Sequence, residues 1–329
     1  MIIGYVNRAG KELLGEIELA GELSFDYFEL TVESPNSTSS IIRESKRQII
    51  EHIQSYNLGI VGHMPWYLHV AFPYESVQRA CIAEFEDAID AAGEVGAKKI
   101  TIHTEFLPKF HKTREELVQQ TIQNIAGLSD YCRSRGQNLL IENYMDFSMN
   151  ANELEQLIKT CRVGMTYDVG HEFANSKGDT QKVIAFARRF SKNIVHMHFS
   201  DNDGKADSHM AISKGKMDWK KLIPALKSIY DGPITLEIAD TAGALKSQAI
   251  NAMKITSARA KKNKGKKMHA IKIPEPEKTS ANASDLEKAY RESVFDSKVF
   301  VEKGWYGRKK ARDDYEYIYP KGKKPVLKI

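Results

Sequence analysis

Six short apolar runs in this 329-residue chain each stop on an imidazole or a carboxylate. GIVGH ends at His63, KKITIH at His103, NLLIE at Glu142, VGMTYD at Asp168, NIVHMH at His198 and PITLE at Glu237. Imidazole nitrogen and carboxylate oxygen together are the ligand set of Zn2+, Mn2+ or Co2+, and the oxygen-rich part also suits Mg2+. Three more such groups follow closely. His171 stands three residues after Asp168 in DVGH, and Asp207 and His209 form a D-x-H pair in the loop DNDGKADSHMAISKGKMDW. A lone histidine is more often structural than a ligand, and a strand-end acid is often a cap. The weight therefore rests on nine groups recurring at corresponding places, which points to a site for a divalent metal ion.

Side chains at the ends of six strands can meet only if the strands are parallel and the sheet closes on itself. That is the (β/α)8 TIM barrel, an α/β fold whose working residues sit at the C-terminal ends of its strands. Eight strands are expected, near 1–6, 25–32, 59–63, 98–103, 138–142, 164–168, 193–199 and 233–237. Helical periodicity fills the intervals: Ile82, Phe85, Ile89 and Ala92 form one apolar stripe, and Val118, Ile122, Ile125, Leu128 and Cys132 another. Gly93, Gly96 and Gly136 mark helix ends. A doubly wound open sheet has the same alternation but no reason to align ligands on six strands. Period two places Thr101 with His103, Thr166 with Asp168, Thr235 with Glu237 and His196 with His198 on the inner face. Ile102, Tyr167, Leu236 and Met197 then face the helices, and His196 sits one layer below the ligands, as a supporting or core residue.

Hydrophobic residues make up 42% of the chain and charged residues 28%, the balance of a soluble globular protein. No apolar run reaches the ~18 residues of a membrane span. MIIGYVNRAG reads as a first strand and not as a leader. Cys81, Cys132 and Cys161 are scattered and odd in number, which suggests reduced thiols in a cytoplasmic protein. Charge divides the chain. Residues 255–329 hold 20 Lys and Arg against 10 Asp and Glu, and the rest hold 28 against 33. Residues 1–254 are thus expected to form a mildly acidic barrel, and 255–329 a basic C-terminal extension. Within the extension, AKKNKGKKMHAIKIPEPEKTSANAS reads as a linker, DLEKAYRESVF as a possible helix, and the end as a docking segment carrying Trp305, Tyr306, Tyr315, Tyr317 and Tyr319. Such an extension could bind nucleic-acid phosphate weakly, mediate homo-oligomerisation, or only aid solubility.

The motifs FDYFELTVESP, GHMPWYL, ITIHTEF, LLIEN, YDVGH, MHFSDNDGKADSH and ITLEIAD together resemble the xylose isomerase-like TIM-barrel superfamily over roughly residues 1–254. That superfamily includes sugar-phosphate isomerases and epimerases and the apurinic endonucleases of the endonuclease IV type. In the isomerases and epimerases the resemblance implies one divalent ion on Glu142, Asp168, His198 and Glu237. In the endonucleases it implies three zinc ions. The first is on His63, His103 and Glu142. The second is on Glu142, Asp168, His198 and Glu237. The third is on His171, Asp207 and His209. All nine positions carry the expected residue type. The loops depart from the endonuclease pattern: TEF follows His103 in place of a Pro-Gly turn, NYMDF follows Glu142, and VGHEF lacks a Thr-Cys before the histidine.

The first expectation is therefore a sugar or sugar-phosphate isomerase or epimerase. Glu142 and Glu237 would act as an acid/base pair through an enediolate, and Trp66 or Tyr67 would stack on the substrate. The alternative is a zinc-dependent phosphodiesterase acting on abasic DNA. A third reading is a barrel whose extension mediates assembly. One to three ions are expected, with identity among Zn, Mn, Co and Mg left open.

Overall fold

A computed structural model describes residues 2–103, 113–145, 148–239, 307–311 and 314–318. The first half of the barrel runs β1 (Ile2–Val6), α1 (Leu13–Glu22), β2 (Tyr27–Thr31), α2 (Ser39–Glu44), α3 (Lys46–Ser55), β3 (Gly59–His63), α4 (Glu75–Glu94), β4 (Lys99–His103) and α5 (Arg114–Ser134). The second half runs β5 (Asn138–Glu142), α6 (Ala151–Cys161), β6 (Gly164–Asp168), α7 (Val169–Asn175), α8 (Thr180–Arg189), β7 (Ile194–Phe199), α9 (Trp219–Ile229) and β8 (Pro233–Leu236). The eight strands form one closed barrel in sequence order, and β8 pairs in parallel with β1. Glu237 lies one residue past the last strand and not within it.

Register explains how distant residues share one rim. His103 pairs with Glu142, Asp168 with His198, and Thr31 with His63, so neighbouring strands end level. Below that rim the interior is polar. Thr101 and Thr166 share a hydrogen bond of 2.9 Å, and the Tyr27 hydroxyl lies 2.8 Å from Thr235 Oγ1. His196 is buried one layer down, with Nε2 3.0 Å from both Tyr27 and Thr235. The alternate residues face outward: Tyr167 stacks on Phe186 and donates to the Val183 carbonyl, and Phe199 packs on Trp219.

The helices hold this ring from outside. Thr113 with Glu116, and Asn150 with Glu153, form capping boxes that start α5 and α6. The α5 stripe Val118, Ile122, Ile125, Leu128 and Cys132 is buried, each large apolar side chain contributing about 1.5–3 kcal/mol. Cys81, Cys132 and Cys161 are free and buried, and Cys161 is the last residue of α6.

The chain divides into two compact units, Met1–Gly265 and Lys266–Ile329. In the second, β9 (Gly307–Ala311) and β10 (Asp314–Ile318) pair as an antiparallel hairpin, which the sequence pattern did not indicate. The expected linker, the DLEKAYRESVF helix, Trp305, Tyr306 and Tyr319 lie outside the described residues. Among the described residues, no helix is long and apolar enough to cross a membrane.

Candidate metal centre

The nine expected residues meet at the C-terminal mouth of the barrel. Two groups bring one ligand atom per residue within 4.8 Å of one another: His63, His103 and Glu142, and Glu142, Asp168, His198 and Glu237. Glu142 belongs to both. Its Oε2 lies 3.1 Å from His63 Nε2 and 3.3 Å from His103 Nε2, and its Oε1 lies 3.0 Å from His198 Nδ1. A third set is joined through Asp207 Oδ2, which is 3.2 Å from His171 Nε2 and 2.6 Å from His209 Nε2.

Local sequence fixes the aim of these rings. Asp168 caps α7, accepting the His171 amide at 2.5 Å, which sets His171 back over the site. Asn143 clamps the same corner: its side chain exchanges two hydrogen bonds with the Asp168 backbone, and its carbonyl faces His171 Nδ1 at 2.8 Å. Gly170 permits this approach, because a Cβ there would lie 2.4 Å from Ser200 Oγ. His63 Nδ1 faces the Met64 carbonyl at 3.0 Å, and His209 Nδ1 faces the Glu237 carbonyl at 3.1 Å. A carbonyl can only accept, so in His63, His171 and His209 the proton sits on Nδ1 and Nε2 is presented to the site.

The donor set fits a cation. Asp168 Oδ2, Asp207 Oδ1 and Glu237 Oε2 are buried without a hydrogen-bond partner. Glu237 Oε2 does lie 3.1 Å from His198 Nδ1, but without bonding geometry; that nitrogen bonds Glu142. Buried carboxylate oxygens left unpaired are costly unless a positive charge meets them.

The electrostatics of the metal-free pocket say the same. Burial opposes charge on His198, yet Glu142 and Glu29 hold its pKa well above the usual range. Burial likewise opposes charge on His171 and His209, but Asp168 and Asp207 raise the first, and Glu237 and Asp207 raise the second to about 10. Burial pushes Asp168 up to about 7, with Glu142, Glu237 and Asp207 adding and His171 opposing. Burial would also raise Glu142 and Glu237, but the imidazoles hold Glu142 well below the usual range and Glu237 at about 2. Protons on histidine thus neutralise carboxylates where a divalent ion would otherwise do so.

Above the ligands lies a cavity of about 380 Å3, lined by His63, His103, His171, Asp207, His209 and Glu237 and, on its walls, by Asn7, Arg8, Trp66 and Tyr144. Trp66 is 46% exposed and Tyr67 65%, with ring centroids 4.0 Å apart. Trp66 lines the cavity; Tyr67 packs against it at a tilt of 30° and is not part of the lining.

Two residues escaped the sequence reading. Glu29, fully buried in β2, reaches His198 Nε2 at 3.0 Å. Its signal was an acid at an inward position between Phe28 and Leu30 in FDYFEL. Asp201 accepts from the amides of Asn202, Ser213 and Met217 and from Trp219 Nε1, all within 3.2 Å. It shapes the loop that carries Asp207 and His209, and nothing in SDNDG marked it for that.

The comparisons with known proteins agree with this architecture. Residues 17–257 match the xylose isomerase-like TIM barrel family. The chain belongs to that family. An uncharacterised protein, MJ1311, of Methanocaldococcus jannaschii is 25% identical over 250 residues, 73% of this chain and 84% of its own. Fructoselysine 3-epimerase of Shigella flexneri is 23% identical over 237 residues, 67% of this chain and 82% of its own. A probable endonuclease 4 of Aquifex aeolicus is 22% identical over 253 residues, 69% and 86%. Among solved structures, a D-tagatose 3-epimerase-like protein superposes with a TM-score of 0.68 at 22% identity, covering 79% of this chain and 99% of its own. IOLI protein with a binding zinc atom gives 0.62 at 16% identity, covering 77% and 95%. At such identities the superpositions establish the shared fold.

Proposed function

We propose that this xylose isomerase-like barrel is a divalent-metal-dependent epimerase or isomerase of a small sugar or sugar derivative. The observation that carries the reading is the small cavity ending on Glu237 and its neighbouring imidazoles, at the lower end of the size range for small-molecule sites. The epimerase names among the relatives and the zinc in one structural neighbour support it. Glu142, Asp168, His198 and Glu237 would hold the ion, which when bound polarises a substrate carbonyl and its adjacent hydroxyl.

The chain's own residues would do the rest. Glu237, 22% exposed at the cavity floor, would take the proton from the carbon next to the carbonyl, leaving an enediolate. Glu142, fully buried among His63, His103 and His198 and itself held ionised, would return to the other side a proton passed to it from the His63 imidazolium 3.1 Å away, which solvent then restores. Trp66 would offer its ring to the apolar C–H face of the sugar, with the tilted Tyr67 ring packed against it.

A second reading, phosphodiester cleavage at abasic DNA, is favoured by the third set, His171, Asp207 and His209, and by the unpaired Asp207 Oδ1. Elemental analysis of the purified protein together with two assays separates the readings. A ketose panel in D2O, followed by NMR, should show exchange of the proton next to the carbonyl and the appearance of an epimer. An abasic duplex should stay intact. Strand cleavage by a protein holding three ions, with no ketose exchange, replaces the first reading by the second.

A further inference from the structure

His198 differs from the other anchored imidazoles of the centre. His63, His171 and His209 each rest their rear nitrogen on a backbone carbonyl and present Nε2 to the site. His198 presents Nδ1, and its rear Nε2 rests on the Glu29 carboxylate at 3.0 Å. Glu29 is itself fully buried, and its other oxygen accepts from the Thr235 hydroxyl. Thr235 is in turn 2.8 Å from the Tyr27 hydroxyl, which meets His196 at 3.0 Å. Four strands thus contribute to one polar stack beneath the centre: Glu29 and Tyr27 from β2, His196 and His198 from β7, Thr235 from β8, and the rim carboxylate Glu142 from β5.

A carboxylate in that place does what a carbonyl cannot. Both fix the tautomer, but only the carboxylate adds a full negative charge behind the ring, making the forward nitrogen a stronger donor. Burying such an acid in the barrel floor is costly unless it is paired, and this one is paired through both oxygens. An apolar residue would have filled the position at less cost had packing been the only need.

We propose that Glu29 is a positioning residue: it orients His198 and strengthens its forward nitrogen for the divalent ion, with Thr235 holding Glu29 in turn. The assignment rests on the metal centre argued above. Glu29 also lies within ligand distance of His63 and His198, so a direct ligand role is the competing outcome. The geometry favours the indirect role: His198 turns Nδ1 to the cluster with Glu142, Asp168 and Glu237, so an ion held there leaves Nε2 to carry the proton and donate it to Glu29.

The experiment measures Mn2+ and Co2+ binding by the full chain, by chelator competition, for wild type, Glu29→Gln and Thr235→Val, with the metal-free melting midpoint of each recorded alongside. The expected result is unchanged ion stoichiometry, a 10- to 100-fold (order of magnitude) weaker Kd for Glu29→Gln, a smaller loss for Thr235→Val, and a shifted visible spectrum of bound Co2+ in Glu29→Gln. A purely structural role would move the melting midpoint and leave the Co2+ spectrum in place, and would overturn the proposal. Loss of one ion per chain would make Glu29 a ligand and overturn it equally. If Glu29→Gln does not fold, Thr235→Val still reads the coupling, and a wild-type Kd in that variant counts against the assignment. Wild-type protein that binds no ion would sink the functional reading and the inference with it; wild-type binding matched by both variants sinks the inference alone.

Discussion

The metal-free centre should bind a divalent ion by expelling protons. His198 is held protonated well above its ordinary range, and Asp168 sits at about 7. At pH 7 protons therefore sit on His198 and, in part, on Asp168, and the ion must displace them. The slope of log K against pH equals the number released, so affinity should rise more than about 10-fold per pH unit near pH 7. The slope should ease as pH rises past about 7 and Asp168 ionises. Stability of the metal-free protein should run the other way. A histidine whose pKa is raised by folding contributes stability that is complete below its unfolded value of about 6.5 and is lost as pH climbs through the folded value. For His209 that value is about 10, so the metal-free melting midpoint should decline between pH 6.5 and 10. Titration calorimetry with Mn2+ in two buffers of different ionisation heat counts the protons, and thermal melts across the same pH range check the stability. Affinity independent of pH between 6 and 8, or proton uptake on binding, would refute the picture of imidazolium standing in for the ion.

Four other expectations are simpler to read. Glu237→Gln keeps the shape of the side chain but removes its charge, so ketose turnover should disappear while the far-ultraviolet spectrum is retained; turnover in a metal-saturated variant would refute the role. Trp66→Ala should raise KM several-fold with kcat little changed, since a stacking contact of about 0.5–1.5 kcal/mol acts on bound substrate and transition state alike. Asp201→Ala should cost at least about 3 kcal/mol in denaturant unfolding, because four donors lose one acceptor, and any ion on Asp207 and His209 should be lost before the others. Shortening the chain to residues 1–265 should leave ketose turnover intact. It should also abolish any weak DNA retention, whose salt slope would be about −0.9 per phosphate contacted.

The barrel was legible because its strands are short, apolar and punctuated: six of the eight strands end at the residue anticipated, β1 at Val6 and β3 to β7 from His63 to Phe199. The clustering of the nine candidates was legible for the same reason, since the strand ends carry six of them and DVGH and D-x-H the rest. Glu29 was not, because a single acid inside an apolar strand reads equally well as an outward residue until the register with β3 and the contact to His198 are seen. Asp201 was hidden differently. Three of its four donors, the Ser213 and Met217 amides and the Trp219 indole, lie 12 to 18 residues ahead, a span no local pattern encodes. The β9–β10 hairpin pairs Tyr315 with Lys310 and Tyr317 with Arg308, in a stretch whose frequent aromatics suggest a docking segment but whose sequence shows no strand pattern.

Three of the imidazoles lean on main-chain oxygens, those of Met64, Asn143 and Glu237. Every amino acid supplies that oxygen, so no single replacement at the supporting position deletes the support. Mutation can therefore redraw the loops above the barrel, and with them the choice of substrate, while these nitrogens keep their aim. An inheritance of this kind separates what is retained from what is free to drift, and a family that contains both epimerases and nucleases is the outcome it would allow.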